Sequence, residues 1–316
     1  MERTAKIYVA GHRGLVGSAI LRRLEAGGYT NLITRTHAQL DLSRQEAVEE
    51  FFLSEKPDYV FLAAAKVGGI LANSTYPADF IYQNLVIATN VVEASRKSGV
   101  RKLMNLGSSC IFPKMAPQPM KEEYLLSGPL EETNEAYAVA KITAIKLCRY
   151  YNEQYGTNFI SVMPTNLYGP GDNFDLNNSH VLPALIRKFH DAKVSGRNLV
   201  ELWGDGSPYR EFLYSDDLAD AVVFLMERYD YKDIGEFVNI GSGVELTIRE
   251  LAEKIRTIVF GSDKTCRIQW DPSKPNGTPR KLLDVSKLNK LGWKAKISLD
   301  EGLRRAYKEY KRGKDA

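Results

Sequence analysis

The chain has 316 residues, 44% of them hydrophobic and 26% charged, and 43 Lys and Arg against 39 Asp and Glu give a formal net charge of +4. These are ordinary globular proportions, which exclude a disordered, collagenous or fibrous chain, and the length suffices to bury a core without covalent staples. The basic residues are scattered except for a short Lys/Arg-rich tail from Lys308, which reads as a solvated helix end rather than a nucleic-acid-binding arm.

Cys110, Cys148 and Cys266 form no CxxC pair, so neither a disulfide framework nor a metal site is expected. The N-terminus enters a strand-like run at once. With no signal-peptide pattern and no apolar run of spanning length, a soluble, cytoplasmic protein is expected, without a membrane partner.

Ile7–Ala10 is the first predicted strand, and Gly11-His12-Arg13-Gly14-Leu15-Val16-Gly17 follows it directly. Leu15, Val16, Ala19, Ile20 and Leu24 then recur at helical spacing. A glycine-rich turn between strand and helix suits a dinucleotide. Glycines allow the tight turn and the close approach of backbone, and the free helix N–H groups receive the pyrophosphate. The second strand, Leu32–Thr34, runs into Arg35-Thr36-His37, with no acid where an NAD binder places one for the ribose hydroxyls. Arg13 and Arg35 are expected to converge on a 2′-phosphate instead, so NADP(H) is the predicted cofactor. Asp41 and Leu42 are placed around the adenine.

Tyr59–Ala63, Lys102–Leu106 and Phe159–Met163 complete a series of apolar runs that read as strands buried on both faces. Helical patterns separate them, including Phe80, Leu85, Ala88, Val91 and Val92. Together they predict an α/β fold with a doubly wound parallel sheet of the Rossmann kind. The strand Lys102–Leu106 ends in Gly107-Ser108-Ser109-Cys110, and a Ser at the carboxyl end of a parallel strand faces the ligand crevice. Tyr137 and Lys141 lie at i and i+4 on the predicted helix Glu135–Tyr155, hence on one face. A nearby ammonium favours the phenolate and brings Tyr137 toward a useful acid/base range. Ser108, Tyr137 and Lys141 in one crevice form a carbonyl-reducing set.

After Tyr168 the pattern loosens into Gly169-Pro170-Gly171-Asp172-Asn173 and a polar stretch up to His180. Short helices at Val181–His190 and Ile248–Phe260 alternate with Gly/Pro-rich loops such as Asp271–Pro279. The expectation is a cofactor domain over 1–170, rejoined around 215–240 by the strand-like Val238-Asn239-Ile240, and a smaller α/β substrate lobe over 171–316. That lobe reads as dominated by loops.

These residues resemble the extended short-chain dehydrogenase/reductase family, in its nucleotide-sugar-modifying branch. The likeness is carried by Ala63-Ala-Ala-Lys-Val-Gly-Gly-Ile70, Asn73-Ser-Thr-Tyr-Pro-Ala-Asp-Phe80, Gly107-Ser-Ser-Cys-Ile111, Met163-Pro-Thr-Asn-Leu-Tyr-Gly169 and Asn178-Ser-His180. It continues through Trp203-Gly-Asp-Gly-Ser-Pro-Tyr-Arg-Glu-Phe212 and Ser273-Lys-Pro-Asn-Gly-Thr-Pro-Arg-Lys281. What the resemblance implies is conversion of GDP-4-keto-6-deoxy-D-mannose to GDP-L-fucose: inversion at the two carbons flanking the ketone, then reduction by NADPH. Cys110 and His180 stand where the family exchanges the protons. A thiol and an imidazole both suit that task near neutrality.

The resemblance implies cofactor contacts from Gly11, His12, Arg13, Gly14, Leu15, Val16 and Gly17, from Leu106, Gly107, Ser108 and Ser109, from Lys141, from Pro164, Thr165, Asn166 and Leu167, and from His180. It places the GDP-sugar against Lys188, Trp203, Arg210 and Asn276. Lys188 and Arg210 suit a pyrophosphate, Trp203 offers a flat wall, and Asn276 offers an amide. A homodimer through the predicted helices Tyr76–Ser98 and Glu135–Tyr155 is a further implication. The competing readings are another nucleotide-sugar epimerase, dehydratase or reductase on the same fold, and a non-catalytic dinucleotide sensor.

Overall fold

The computed structural model describes residues 1–176, 178–261, 265–274 and 276–315. In chain order, the first half runs β1 (Ile7–Ala10), α1 (Leu15–Ala26), β2 (Leu32–Ile33), α2 (Gln45–Glu55), β3 (Tyr59–Leu62), α3 (Ile70–Thr75), α4 (Pro77–Lys97), β4 (Lys102–Leu106), α5 (Glu135–Tyr155), β5 (Phe159–Pro164) and β6 (Asn166–Tyr168). The second half adds α6 (Val181–Val194), β7 (Leu199–Trp203), β8 (Tyr209–Tyr214), α7 (Ser215–Arg228), α8 (Tyr231–Ile234), β9 (Val238–Ile240), β10 (Glu245–Thr247), α9 (Ile248–Phe260), β11 (Arg267–Asp271), β12 (Arg280–Lys281), α10 (Ser286–Lys290) and α11 (Leu299–Asp315).

Six strands form one parallel sheet in the order β2-β1-β3-β4-β5-β9. Every residue of β1, β3, β4, β5 and β9 is buried, as a parallel sheet covered on both faces requires. On one face Ala19, Ile20 and Leu24 of α1 pack with Leu218, Val222 and Leu225 of α7. On the other, Val48 and Phe52 of α2 and Val91 and Val92 of α4 form a second layer with Cys148 of α5. The strand order reverses between β1 and β3, so a crevice opens above their carboxyl ends.

The rest of the chain is more regular than its loop-rich sequence suggests. β8 pairs in parallel with β6 and β12 and antiparallel with β10, while β7 and β11 make a separate parallel pair. The expectation of a lobe dominated by loops is corrected accordingly. These strands are two to six residues long and carry charged side chains, so their apolar periodicity is too short to register. Under them, Leu185, Ile186 and Phe189 of α6 and Leu251 and Ile255 of α9 build a second core with Leu303 and Tyr307 of α11. The basic tail from Lys308 is the outer part of α11.

Candidate active site

The glycine turn follows β1 at the point where the sheet order reverses. Gly11 has φ +81°, and a Cβ there would stand 2.8 Å from the Ala64 amide nitrogen just beyond β3. Only glycine combines that backbone with that contact. Gly17 faces the turn from inside α1: its Cβ would lie 2.5 Å from the Gly11 carbonyl carbon. Gly14 is different, since it has ordinary extended backbone at the N-cap, no capping side chain, and room for a Cβ at ordinary contact distance, 3.5 Å from the Gly11 carbonyl oxygen. The first-turn N–H groups of α1 therefore face the crevice without a side-chain acceptor.

A cleft of about 350 Å³ adjoins this turn, lined by Gly11, His12, Arg13, Gly14, Arg35, Thr36, His37 and Ala38. Arg13 and Arg35 thus share one wall, and the cleft combines helix N–H groups with two guanidiniums, a donor set suited to a pyrophosphate and a ribose phosphate. Arg35 is not free: it bonds Glu55 and the Thr34 carbonyl, and its guanidinium lies 5.4 Å from the centroid of the Phe51 ring. Asp41 and Leu42 do not line the cleft. The Asp41 carboxylate accepts from the Ser43 amide and hydroxyl at 2.9 and 2.7 Å, which holds its pKa below the ordinary value, and Leu42 packs into the core.

Beyond β4, Gly107 is pressed against the Met163 thioether, where a side chain would collide, and its amide bonds the Val162 carbonyl at 2.8 Å. The Ser108 hydroxyl oxygen accepts from the Cys110 amide at 3.4 Å, turning Ser109 and Cys110 inward as a short 3-10 turn. Tyr137 and Lys141 rise beside it on α5. The Lys141 ammonium lies 5.6 Å from the Tyr137 ring centroid and donates to the Leu106 carbonyl at 2.9 Å. Burial brings Lys141 down to about 8. Burial also pushes the Tyr137 phenol far up, with Cys110 adding to the effect and a hydrogen bond from Ser108 opposing it. The expected lowering by the Lys141 ammonium is thus overridden by burial, and in this state the phenol is protonated and can act as an acid.

Burial raises the Cys110 thiol as well, against the pull of Ser108, Lys281 and Lys141. His180 is the N-cap residue of α6, with extended backbone, and the loop before it rests on a glycine pair. The Gly69 amide donates to the Asn178 carbonyl at 3.1 Å, and a Cβ at Gly69 would come within 2.8 Å of the Ser179 carbonyl oxygen. Burial and then the charge of Lys281 lower the His180 pKa. Lys281 therefore acts on both predicted proton-exchange residues. Sequence reading quoted it within a longer segment but gave it no role.

Of the other predicted cofactor residues, Leu106 supplies the carbonyl that holds Lys141, and Leu167 packs against the main core. The Thr165 hydroxyl and Asn166 amide are both spent on the Glu211 carbonyl, at 3.3 and 2.8 Å, and the Thr165 amide donates to the Ile240 carbonyl at 3.0 Å. Among the predicted substrate residues, Lys188 donates to the Glu201 carbonyl at 2.9 Å and sits 6.0 Å from the Trp203 ring centroid. Trp203 is half exposed at the end of β7, with Lys274 on its ring at 5.9 Å. Arg210 lies on β8 opposite Lys281 of β12, and burial brings it down to about 10.

Asn276 has its amide oxygen engaged within the protein. Its Oδ1 accepts from the Asp205 amide at 3.0 Å and pins the loop after Trp203. The next residue, Gly277, would meet the Arg210 guanidinium at 3.3 Å if it carried a Cβ. Asn276 and Gly277 thereby tie the Trp203 loop to Arg210. Among the described residues there is no cluster of His, Cys, Asp or Glu able to hold a metal ion, and no helix long and apolar enough to cross a membrane.

A glycine turn at the reversal of a doubly wound sheet, with Ser, Tyr and Lys gathered over β4, defines a dinucleotide-binding enzyme of the short-chain dehydrogenase/reductase type. The profile of the NAD dependent epimerase/dehydratase family matches residues 7–241, and the chain belongs to that family. It is 62% identical over 310 residues to the probable GDP-L-fucose synthase 1 of Oryza sativa subsp. japonica, covering 98% of this chain and 93% of that one. With the GDP-L-fucose synthase of Escherichia coli K12 it shares 52% over 316 residues, 98% of each chain. The solved GDP-L-fucose synthetase of Naegleria fowleri bound to NADP superposes with a TM-score of 0.90 at 27% identity, covering 100% of this chain and 97% of that one.

Proposed function

We propose that this protein is a bifunctional epimerase-reductase that converts GDP-4-keto-6-deoxy-D-mannose to GDP-L-fucose with NADPH. The observation that supports the reading is that Lys281 acts on both a thiol, Cys110, and an imidazole, His180, while Cys110 itself adjoins Ser108, Tyr137 and Lys141. A reductase alone has no use for the thiol and the imidazole.

Hydrogens next to a ketone become removable when the resulting enolate oxygen is held by donors and a base stands close. Ser108 and Tyr137 are the donors to that oxygen. Burial keeps Cys110 as a thiol and His180 as a neutral imidazole, so each starts without a stranded charge and can exchange one proton with carbon. Inversion needs removal on one face and return on the other, hence two groups. NADPH, when bound, supplies hydride to the ketone carbon. Tyr137 delivers the proton to the oxygen, and the Lys141 ammonium steadies the phenolate left behind.

Arg13 and Arg35 hold the ribose phosphate of the cofactor, and the α1 N-terminus holds its pyrophosphate. Lys188 and Arg210 take the pyrophosphate of the sugar nucleotide, and Trp203 stacks beside its base. The protein works in the cytoplasm as a homodimer, its partner helices being α4 and α5. Each leaves large aromatics open to solvent, Tyr82 on α4 at 65% and Tyr150 and Tyr155 on α5 at 54 and 49%, which a second copy would cover.

The test is loss of NADPH absorbance with GDP-4-keto-6-deoxy-D-mannose, with the product sugar identified by NMR. Oxidation yielding GDP-L-fucose is expected. Oxidation yielding an uninverted sugar would keep the reductase and remove the role of Cys110 and His180. No oxidation by protein that binds NADPH would reject the substrate.

A further inference from the structure

Glu211 is wholly buried in the middle of β8, next to Arg210, and nothing in the proposed chemistry uses it. Its carboxylate is held by donors from two separate segments. Oε1 accepts from the Gly243 amide at 2.7 Å and the Ser242 hydroxyl at 3.3 Å, and Oε2 accepts from the Leu283 amide at 3.1 Å. Its backbone carbonyl takes the side chains of Thr165 and Asn166. One residue thus joins the turn after β9, the strand β8, the segment after β12 and the link between β5 and β6. The fit is close enough that a Cβ at Gly241 would stand 2.8 Å from the Glu211 carboxyl carbon.

β12 needs such an anchor. It is two residues long, with Arg280 beside Tyr209 and Lys281 beside Arg210, too short to fix its own register. Its register comes from the residues that follow: the Leu282 amide donates to Gln118 at 2.8 Å, the Leu282 carbonyl accepts from the Met120 amide at 2.7 Å, and the Leu283 amide reaches Glu211. Successive side chains on a strand face opposite ways. Glu211 therefore grips β12 from the face of β8 opposite the one that carries Arg210. Lys281 and Arg210 are like charges side by side, and burial together with the Arg210 charge lowers the Lys281 pKa.

The geometry points to Glu211 as a positioning residue for substrate: its carboxylate keeps Lys281 in register with Arg210, so that both cations face one anionic part of the sugar nucleotide. This rests on the reading of Lys188, Trp203 and Arg210 as the GDP-sugar site. A Gln at 211 keeps one acceptor but turns an NH2 toward an N–H donor, so one of the two anchored segments is released.

The experiment measures GDP and NADPH affinity by calorimetry for Glu211→Gln, Lys281→Ala, the double variant and Arg210→Ala. Glu211→Gln is expected to weaken GDP binding about tenfold, the equivalent of one lost hydrogen bond to a charged group. NADPH affinity stays within about twofold, and the same change in the Lys281→Ala background costs less than about twofold more. Unchanged GDP affinity, an equal loss of both ligands, or full additivity with Lys281→Ala would overturn the proposal. Arg210→Ala binding GDP like the parent would instead reject the assignment of Arg210 to the GDP-sugar site. If the Gln variant does not fold, Glu211→Asp, which keeps the charge but is too short to span both segments, carries the same comparison.

Discussion

Gly14 and Gly17 look alike in sequence and have separable tasks, which a pair of alanine substitutions resolves. At Gly17 a methyl would meet the Gly11 carbonyl carbon at 2.5 Å and the His12 Cα at 2.9 Å, where ordinary contact begins at 3.4 Å. The turn cannot retreat, because Gly11 is already backed by Ala63 and Ala64. Overpacking of this kind costs about 1–3 kcal/mol, and the better helix propensity of Ala returns at most about 1 kcal/mol. Gly17→Ala should therefore lose on the order of 1–2 kcal/mol and about 1.5–3 °C in Tm. Its NADPH binding should fall as well, since the turn must move. At Gly14 the backbone suits any residue, and the nearest atom to a Cβ is the Gly11 carbonyl oxygen at 3.5 Å. Gly14→Ala should leave Tm within about 1 °C while weakening NADPH at least about tenfold, because the methyl occupies the approach of the pyrophosphate. Thermal melts and NADPH fluorescence titrations read both quantities. Equal melting losses in the two variants, or parental NADPH affinity in Gly14→Ala, would show that the two glycines do not divide these tasks.

Three further predictions use the same protein. Arg35→Asp should cut the ratio of kcat/KM for NADPH over NADH by about tenfold or more, with little loss of stability because the Arg35–Glu55 pair is only partly buried; an unchanged ratio rejects the 2′-phosphate assignment. Cys110→Ser should abolish exchange of solvent deuterium into the 4-keto sugar while NADPH still binds, and full exchange would remove the thiol from the mechanism. Lys141 is lowered from 10.5 to about 8 on folding, so the unfolded chain binds the extra proton between those values and stability due to this group rises with pH across that window. The advantage of wild type over Lys141→Met in urea melts should accordingly grow by on the order of 2–3 kcal/mol from pH 8 to pH 10.5, and a difference independent of pH would contradict the burial of its charge.

The large sheet was legible because burial on both faces forces β-branched and aromatic runs such as Ile7–Ala10 and Tyr59–Leu62, and the intervening helices carry a full apolar stripe. Helix Glu135–Tyr155 was legible to the residue, and with it the shared face of Tyr137 and Lys141. The strands of the second lobe were not, since β8 pairs with partners 30 to 70 positions away and exposes Tyr209 while burying Glu211. Residues whose role depends on such long-range pairing escape local reading. Lys281 gains its place only through β12, and Asn276 meets Asp205 across 71 positions. Arg35 and its partner Glu55 illustrate the converse: the type of residue suggested a phosphate, but only the fold reveals the carboxylate that already aims the guanidinium.

The burial of Cys110 has a chemical consequence apart from proton transfer. Thiols react with peroxides and alkylating agents as thiolates, and this one is kept protonated with 6% of its surface open to water. Cys148 and Cys266 are buried too. A protein whose chemistry is proposed to rest on sulfur is thus guarded in its resting form against the oxidants that poison most sulfur enzymes.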